Sequence, residues 1–554
     1  MEFIKLKSKR FILSLVVFAI TFILLGIPFF NWGFLHDDFG VVWHSQIKNI
    51  KDILKFFTGA GMTVTVQPSN YMPPEQSFLV VYYRPFVYIF YALQMLFFKF
   101  NAYGYFLVTI FLHAINAVIL FNLLFPFTSW IFAFWGAMFF AFHPSLINWL
   151  GWIAGQAHIL NFTLILLVIL FLKKYLETRN IIDYWSAFFI FLISLFTRET
   201  AIIIPIWIMY AAYLYENYLG ANKKSFFGTI YKYLRLTIPF WLGVIFYFVV
   251  RFSFYPIKFS GPSQIELSPL TFLSNLKGRF FDLVTFLSDV FGLSFLPSGH
   301  QIIKGGLIVL FFSLFAWSFI KNSKKKYILL CIFSMFLFMW PAFLRYYSSR
   351  YLYKTLPFCV LIVLFLIKFY KSKTVAGKLK SQRISLIILY SFLIFNIFSL
   401  PYNLKKREQF LHKLDIAFTE LSQDPKVCDK PICFVGLPWS IFPTGSAQAV
   451  WMKGITLPVY YDRRTWGASI RDIYQNWLNI EKIKNGFRLK TTNHDQVWIA
   501  ANGQEEFAMG QKAIHDHKDG KVVDVSFIFD KKYLDQNPVF VTWDYETLKF
   551  IILE

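Results

Sequence analysis

Residues 11–30 read FILSLVVFAITFILLGIPFF, and they follow a basic opening, MEFIKLKSKR. This uncharged run matches the roughly 20 residues that a helix needs to cross ~30 Å of hydrocarbon. A signal peptide has a shorter apolar core and a small-residue cleavage site. Here the run ends in GIPFFNWGF, with no such site. The segment is expected to be an uncleaved first span, with its basic N-terminus in the cytoplasm.

The whole chain follows suit. Hydrophobic residues make up 57% and charged residues 16%, against roughly 45–50% and ~25% in soluble domains. Further spans are expected at 105–124, 129–142, 158–173, 184–197, 200–217, 234–251, 304–320, 327–343, 351–368 and 384–401. The fold class is therefore a polytopic α-helical membrane protein with about 11 transmembrane helices. A net charge of +24 raises the question of nucleic acid. However, Lys and Arg gather in short clusters between apolar runs, which is the positive-inside pattern and argues against such a partner.

Those clusters test the count. They are Lys173/Lys174/Arg179, Lys223/Lys224/Lys232/Arg235, Lys321/Lys324/Lys325/Lys326, and Lys368 through Arg383. With 11 spans and an inside N-terminus, all fall in the cytoplasm. Counting 85–98 (PFVYIFYALQMLFF) as a span would invert them, so that run is expected to be an amphipathic helix on the outer surface. The stretch 280–296 either lies flat or dips into the membrane within an outer loop, 252–303.

The first outer loop is then 31–104, and the membrane domain is 1–401. Residues 402–554 differ in kind. An amphipathic stretch at 404–422 leads to short β-rich runs such as ICFVGL, QVWIAA, VVDVSFIFD and PVFVTWDY. They read as an extracytoplasmic α/β or β-rich domain. Cys428 and Cys433 in CDKPIC lie there, close enough for a short-loop disulfide. Cys331 and Cys359 lie in apolar runs and read as buried small hydrophobes.

Ionisable groups at membrane depth or on tight outer turns are costly and point to function. On the expected outer face these are His36, Asp37, Asp38, Glu75, Arg84, His143, His158, Arg198, Glu199, Arg345 and Arg350. Asp37 and Asp38 follow the first span in FLHDDFG. Adjacent carboxylates repel, so one can hold its proton more tightly and act as a base. Alternatively the pair holds a divalent cation, or simply makes a hydrated turn. Arg84, in YYRPF, presents either a planar fork for phosphate oxygens or a snorkelling interfacial cation. Arg345 and Arg350, in RYYSSRYLY, allow the same two readings. Arg198-Glu199 interrupts two apolar runs in LFTRETAII, either for chemistry or as an ion pair closing a helical hairpin. His143 and His158 flank a Trp-rich turn suited to an interfacial belt or to sugar stacking. His113 and Asn116 share a helix face, and helix–helix hydrogen bonding is the favoured reading.

No P-loop, Gly-rich dinucleotide turn, HExxH or G-x-S-x-G motif occurs, so nucleotide-dependent chemistry has no support. No Cys/His set has zinc spacing.

The order of motifs is recognisable: HDDFG, YRPFVYIFYALQMLFFKFNAYGYF, LHAINAVIL, FHPSLINWLGWIAGQAHIL, then FTRETAIIIP. The series resembles the membrane glycosyltransferases of the GT-C fold. The likeness is nearest to the protein O-mannosyltransferases, including the tetratricopeptide-bearing kind, and weaker to the lipid A aminoarabinose transferase. RYLY followed by Pro357 is also similar to the tetratricopeptide-bearing group. The resemblance covers 31–205 and, more loosely, 345–357.

It implies an inverting transferase that takes a sugar from a polyprenyl phosphate in the bilayer to an acceptor hydroxyl on a protein, lipid or glycan. Asp37, with Asp38 beside it, falls at the general base, and Arg84 at the donor phosphate. Arg198, Arg345 and Arg350 are candidate helpers at the phosphate. His36, Glu75, His143, His158 and Glu199 are candidate substrate contacts. No cofactor is required, and a divalent cation, where present, falls to Asp37 and Asp38. The acidic residue usual after the WIAG-type turn is replaced here by GQAH, with Gln156 and His158. A WWD-type signature is missing, which argues against an oligosaccharyltransferase. The active face is expected outside a bacterial plasma membrane. A transporter of a lipid-phosphate-linked substrate is the rival, although it would favour inverted halves and charges on both faces. A non-catalytic receptor would tolerate replacement of Asp37 and Arg84.

Overall fold

The computed structural model describes residues 2–30, 33–34, 38, 41–42, 45–47, 49–58, 83–126, 128–218, 226–254, 325–344 and 352–368, with shorter pieces of 400–553 that include eight strands. Its helices are α1 (Glu2–Gly26), α2 (Lys51–Thr58), α3 (Pro85–Phe98), α4 (Ala102–Leu124), α5 (Trp130–Ala141), α6 (Gln156–Thr178), α7 (Ile181–Thr197), α8 (Ile204–Tyr218), α9 (Phe226–Phe254), α10 (Lys325–Leu344) and α11 (Leu352–Lys368). Among the described residues, four helical stretches are long and apolar enough to cross a membrane: Ser8–Phe29, Ala102–Leu124, Ile153–Thr178 and Tyr231–Phe254. The expected segments 280–296 and 304–320, and most of 384–401, lie outside the described residues.

Boundaries follow local chemistry. Asn101 caps α4 by accepting from the Tyr103 amide, and Asn180 caps α7 by accepting from Ile182. Helix α9 starts at Phe226, two turns before the expected 234. Lys232 and Arg235 therefore ride on the helix rather than on a loop, as their helix propensity and long stems permit. Helix α3 occupies the expected 85–98. Arg84 precedes Pro85, which disfavours helical backbone before it, and Lys99 ends the helix at φ 49°. At about 21 Å it is too short to span the bilayer. Its outward residues Leu93, Leu96 and Phe97 are apolar, so that face suits lipid tails and is less amphipathic than expected.

Lipid is as apolar as leucine, so close packing and interhelical hydrogen bonds must hold such helices together. Two apolar clusters do the packing. One joins α1, α4 and α5, and the other α2, α7, α8 and α9; both draw on α3, α6, α10 and α11. Helices α1 and α4 run antiparallel. Arg10 reaches the Asn122 side chain (2.6 Å) and carbonyl (3.0 Å) at one end, and Phe29 stacks on Phe106 (5.0 Å) towards the other. Gly104 lets the chain double back after α3, because a Cβ there would lie 2.3 Å from the Phe98 ring.

The described strands lie at 432 and beyond and form two sheets. The first has the order β2 (Val459–Tyr461), β1 (Ile432–Phe434), β7 (Val539–Asp544), β8 (Lys549–Ile552), with β1 parallel to both β2 and β7. The second is antiparallel, in the order β3 (Leu478–Ile483), β4 (Gly486–Thr491), β6 (Lys521–Ile528), β5 (Lys512–Lys518). Phe487 of β4 meets Phe540 of β7 at 4.9 Å. Cys428 lies outside the described residues, as do the side-chain surroundings of Cys433.

Candidate active site

The turn between α7 and α8 gathers the charges. Arg198 ends α7 with an extended backbone (φ −162°, ψ 133°), and Glu199 opens the short 3-10 stretch Glu199–Ile203. Successive side chains on extended backbone point to opposite sides. The two therefore part company, and Glu199 finds Arg84 instead of its neighbour. The contact is a two-point fork, Nε to Oε2 at 3.1 Å and Nη2 to Oε1 at 2.6 Å. The hairpin is thus closed by an ion pair, but with α3 rather than within the Arg198-Glu199 dipeptide. Burial pushes the Glu199 carboxyl up. The charge and hydrogen bonds of Arg84 outweigh it, and with help from Arg198 they hold the group well below the usual carboxylate range. Arg198 itself is buried.

A further cation joins them. Lys354, on the first turn of α11, is 4% exposed, and its ammonium donates to Asn161 Oδ1 of α6 and to Thr200 Oγ1. Asn161 in turn donates to the Ser194 carbonyl and hydroxyl of α7, each at 2.9 Å. Thr200 also donates to Asn161 Oδ1 at 3.2 Å. Four elements meet at this knot. The sequence reading missed Lys354, although a lone lysine in YLYKTLPFCVLIVLFLI is the signal that intramembrane charge provides.

The residue beside it, Tyr353, ties α11 to the other side. His113 Nε2 lies 3.0 Å from the Ala141 carbonyl, which can only accept, so that nitrogen carries the hydrogen. Nδ1 then accepts from the Tyr353 hydroxyl at 2.7 Å, and the Tyr353 oxygen accepts from Asn116 at 3.1 Å. His113 and Asn116 thus serve helix–helix bonding, as expected.

Asp38 is fully buried, and its Oδ1 accepts from the Ala154 amide at 2.8 Å. It pins the segment that follows α1 to the short turn Ile153–Gly155. Tyr91 of α3 donates to the Ile153 carbonyl of the same turn at 2.8 Å. A Cβ on Gly155 would stand 3.0 Å from Trp149 and 3.1 Å from Trp152, which explains glycine there. Gln156 is an amide clamp. It donates to the Tyr105 carbonyl (2.6 Å) and to Thr109 (2.7 Å), and accepts from Gln94 (2.9 Å). A carboxylate cannot donate to that carbonyl, so the departure from an acidic residue here has a structural reason.

His143 is buried and bonds Ser145 Oγ at 2.7 Å within its own turn, and His158 packs on Trp149 with ring centroids 3.8 Å apart. The structure therefore brings Arg84, Arg198, Glu199 and Lys354 together, and sets Asp38 on the 153–155 turn. His36, Asp37, Glu75, Arg345 and Arg350 lie outside the described residues. Among the described residues, no group of three or more His, Cys, Asp and Glu is placed to hold a metal.

No family model matches this chain, and no curated protein matches its sequence. Solved structures do match, at low similarity. The Archaeoglobus fulgidus oligosaccharyltransferase in complex with Zn and sulfate aligns over 79% of this chain at 13% identity, with a TM-score of 0.43. This chain spans only 61% of that protein's length. ArnT from Cupriavidus metallidurans, bound to undecaprenyl phosphate, aligns over 92% of this chain and 97% of its own at 10% identity, with a TM-score of 0.39. The solved structures to which this chain is similar, at these low scores, thus include an oligosaccharyltransferase and ArnT.

Proposed function

We propose that this chain is an inverting membrane glycosyltransferase that moves a sugar from a polyprenyl-phosphate donor to an acceptor hydroxyl. The observation that carries the reading is the gathering of the half-buried Arg84 and the buried Arg198 around one carboxylate, Glu199, at a turn between apolar helices. Guanidinium groups match phosphate oxygens in shape and charge, and a partner that fixes the fork in advance reduces the reorganisation needed when phosphate arrives. Arg345 and Arg350 are assigned to the same phosphate.

Asp37 takes the acceptor proton as the hydroxyl oxygen attacks the anomeric carbon. The bond from that carbon to the phosphate oxygen breaks, and polyprenyl phosphate leaves with the electron pair. One carboxylate base and one leaving-group site make a single displacement with inversion. Asp38, seated on the 153–155 turn, holds the backbone beside Asp37 in place. The active face is assigned to the outside of the plasma membrane, with the N-terminus in the cytoplasm.

The test supplies the purified full chain with a panel of polyprenyl-phosphate sugars and native membrane extract, and measures released polyprenyl phosphate. Release by the wild type that Asp37→Asn abolishes, with the fold intact, is the expected result. Unchanged release moves the base away from Asp37. Flux of the lipid-linked sugar through proteoliposomes without any release replaces transfer with transport.

A further inference from the structure

We infer that Lys354 is a third phosphate-binding cation of this site, acting with Arg84 and Arg198 on a lipid-linked phosphate. The inference rests on the transferase reading only in requiring that such a phosphate reaches the 198–200 turn.

Lys354 is almost fully buried, and its ammonium bonds two neutral oxygens, Asn161 Oδ1 and Thr200 Oγ1. Among the described residues, no carboxylate lies within ion-pair distance of it. Glu199 lies near enough to act on it electrostatically, as do Arg198 and Arg84, but both Glu199 oxygens are already engaged by the Arg84 fork. An ammonium has three N–H donors, and two are used here.

Burying a charge without a counter-charge is expensive, so a purely structural lysine is a poor solution at this position. The structural work is done without it. Tyr353 already fastens α11 to α4 through His113 and Asn116. Thr200 and Asn161 still bond each other in its absence, and Asn161 still holds Ser194. What the neutral rack achieves is different. It positions the Lys354 Nζ on neutral oxygens and leaves a donor over, with no ion pair among the described residues to be broken when an anion arrives.

Binding of undecaprenyl phosphate and of undecaprenol to the full chain in nanodiscs tests this, using wild type, Lys354→Met and Lys354→Gln. The glutamine keeps an amide donor for the rack but carries no charge. Both variants should bind undecaprenyl phosphate at least about tenfold more weakly, the size of a lost charge-assisted hydrogen bond. Undecaprenol binding should not change, and the melting temperature of Lys354→Met should not fall, since an unpaired buried charge is removed. Wild-type phosphate affinity in Lys354→Gln overturns the inference. So does an equal loss of both lipids with a lowered melting temperature, which makes the lysine structural. A wild type that does not prefer undecaprenyl phosphate to undecaprenol overturns the transferase reading itself, before any variant is compared.

Discussion

The two ends of the α6–α7 hairpin carry the same residue types and use them differently. At the tip, Lys173 meets Glu177 (2.7 Å) and Lys174 meets Asp183 (2.8 Å), with Lys174 58% exposed. At the mouth, Glu199 meets Arg84 from 115 residues away, and Asn161 meets Lys354 from 193 residues away. Tip pairs are local, and each keeps one partner open to water. Mouth contacts are long-range and largely shielded, and four separate elements meet there. Exposed ion pairs contribute about 0–1 kcal/mol, whereas breaking a buried one costs about 3–5 kcal/mol. Burial, more than the number of charges, separates a site from a surface.

The sharpest way to break this contrast is at the fork. Arg84→Ala or Glu199→Ala should each cost about 2–3 kcal/mol of stability, somewhat under the fully buried figure because Glu199 is 26% exposed. The double variant should lose clearly less than the sum, since each single change strands a charge. Strict additivity in thermal unfolding would sink the pairing. Acid sharpens the same point. The folded Glu199 binds its proton less readily than the ordinary value of 4.5, so its contribution is complete above about pH 4.5 and fades as pH falls below it. The gap in melting temperature between wild type and Glu199→Gln should therefore hold from pH 7 to 5 and shrink only in stronger acid.

Next in size comes Gln156→Glu. It sets an acceptor 2.6 Å from the Tyr105 carbonyl and removes two donors, which should cost about 1–3 kcal/mol by the same unfolding measurement. A melting temperature equal to wild type would mean that the clamp does not hold the 153–156 turn. The smallest effect belongs to the tip, where Lys173→Ala, which opens the i,i+4 pair with the exposed Glu177, should change stability by no more than about 1 kcal/mol. A larger loss there would erase the distinction between the two ends.

This contrast also explains what the sequence made legible. Apolar runs marked α3, α4 and α7, although α4 and α7 start ahead of the expected 105 and 184, at Ala102 and Ile181, where the caps Asn101 and Asn180 act. Arg198 and Glu199 stood out because charge seldom interrupts two apolar runs. Their partners did not stand out, since nothing local in YYRPF names residue 199. The dipeptide looked self-sufficient until the extended backbone at Arg198 turned its two side chains apart. Lys354 went unread although it interrupts an apolar run, and its burial and partners follow from three-dimensional packing. Of the adjacent pair, the resemblance put the base at Asp37 with Asp38 beside it; the structure gives Asp38 a backbone amide to hold.

The Arg84–Glu199 fork has a consequence for how the chain is made. The ribosome delivers Arg84 long before Glu199, so α3 must wait at the membrane with its cation hydrated while α4 to α7 are synthesised and inserted. Only when the 198–200 turn emerges can the clasp close and draw α3 onto α7. Order of synthesis, and not only final geometry, therefore decides when the mouth of this bundle comes into being.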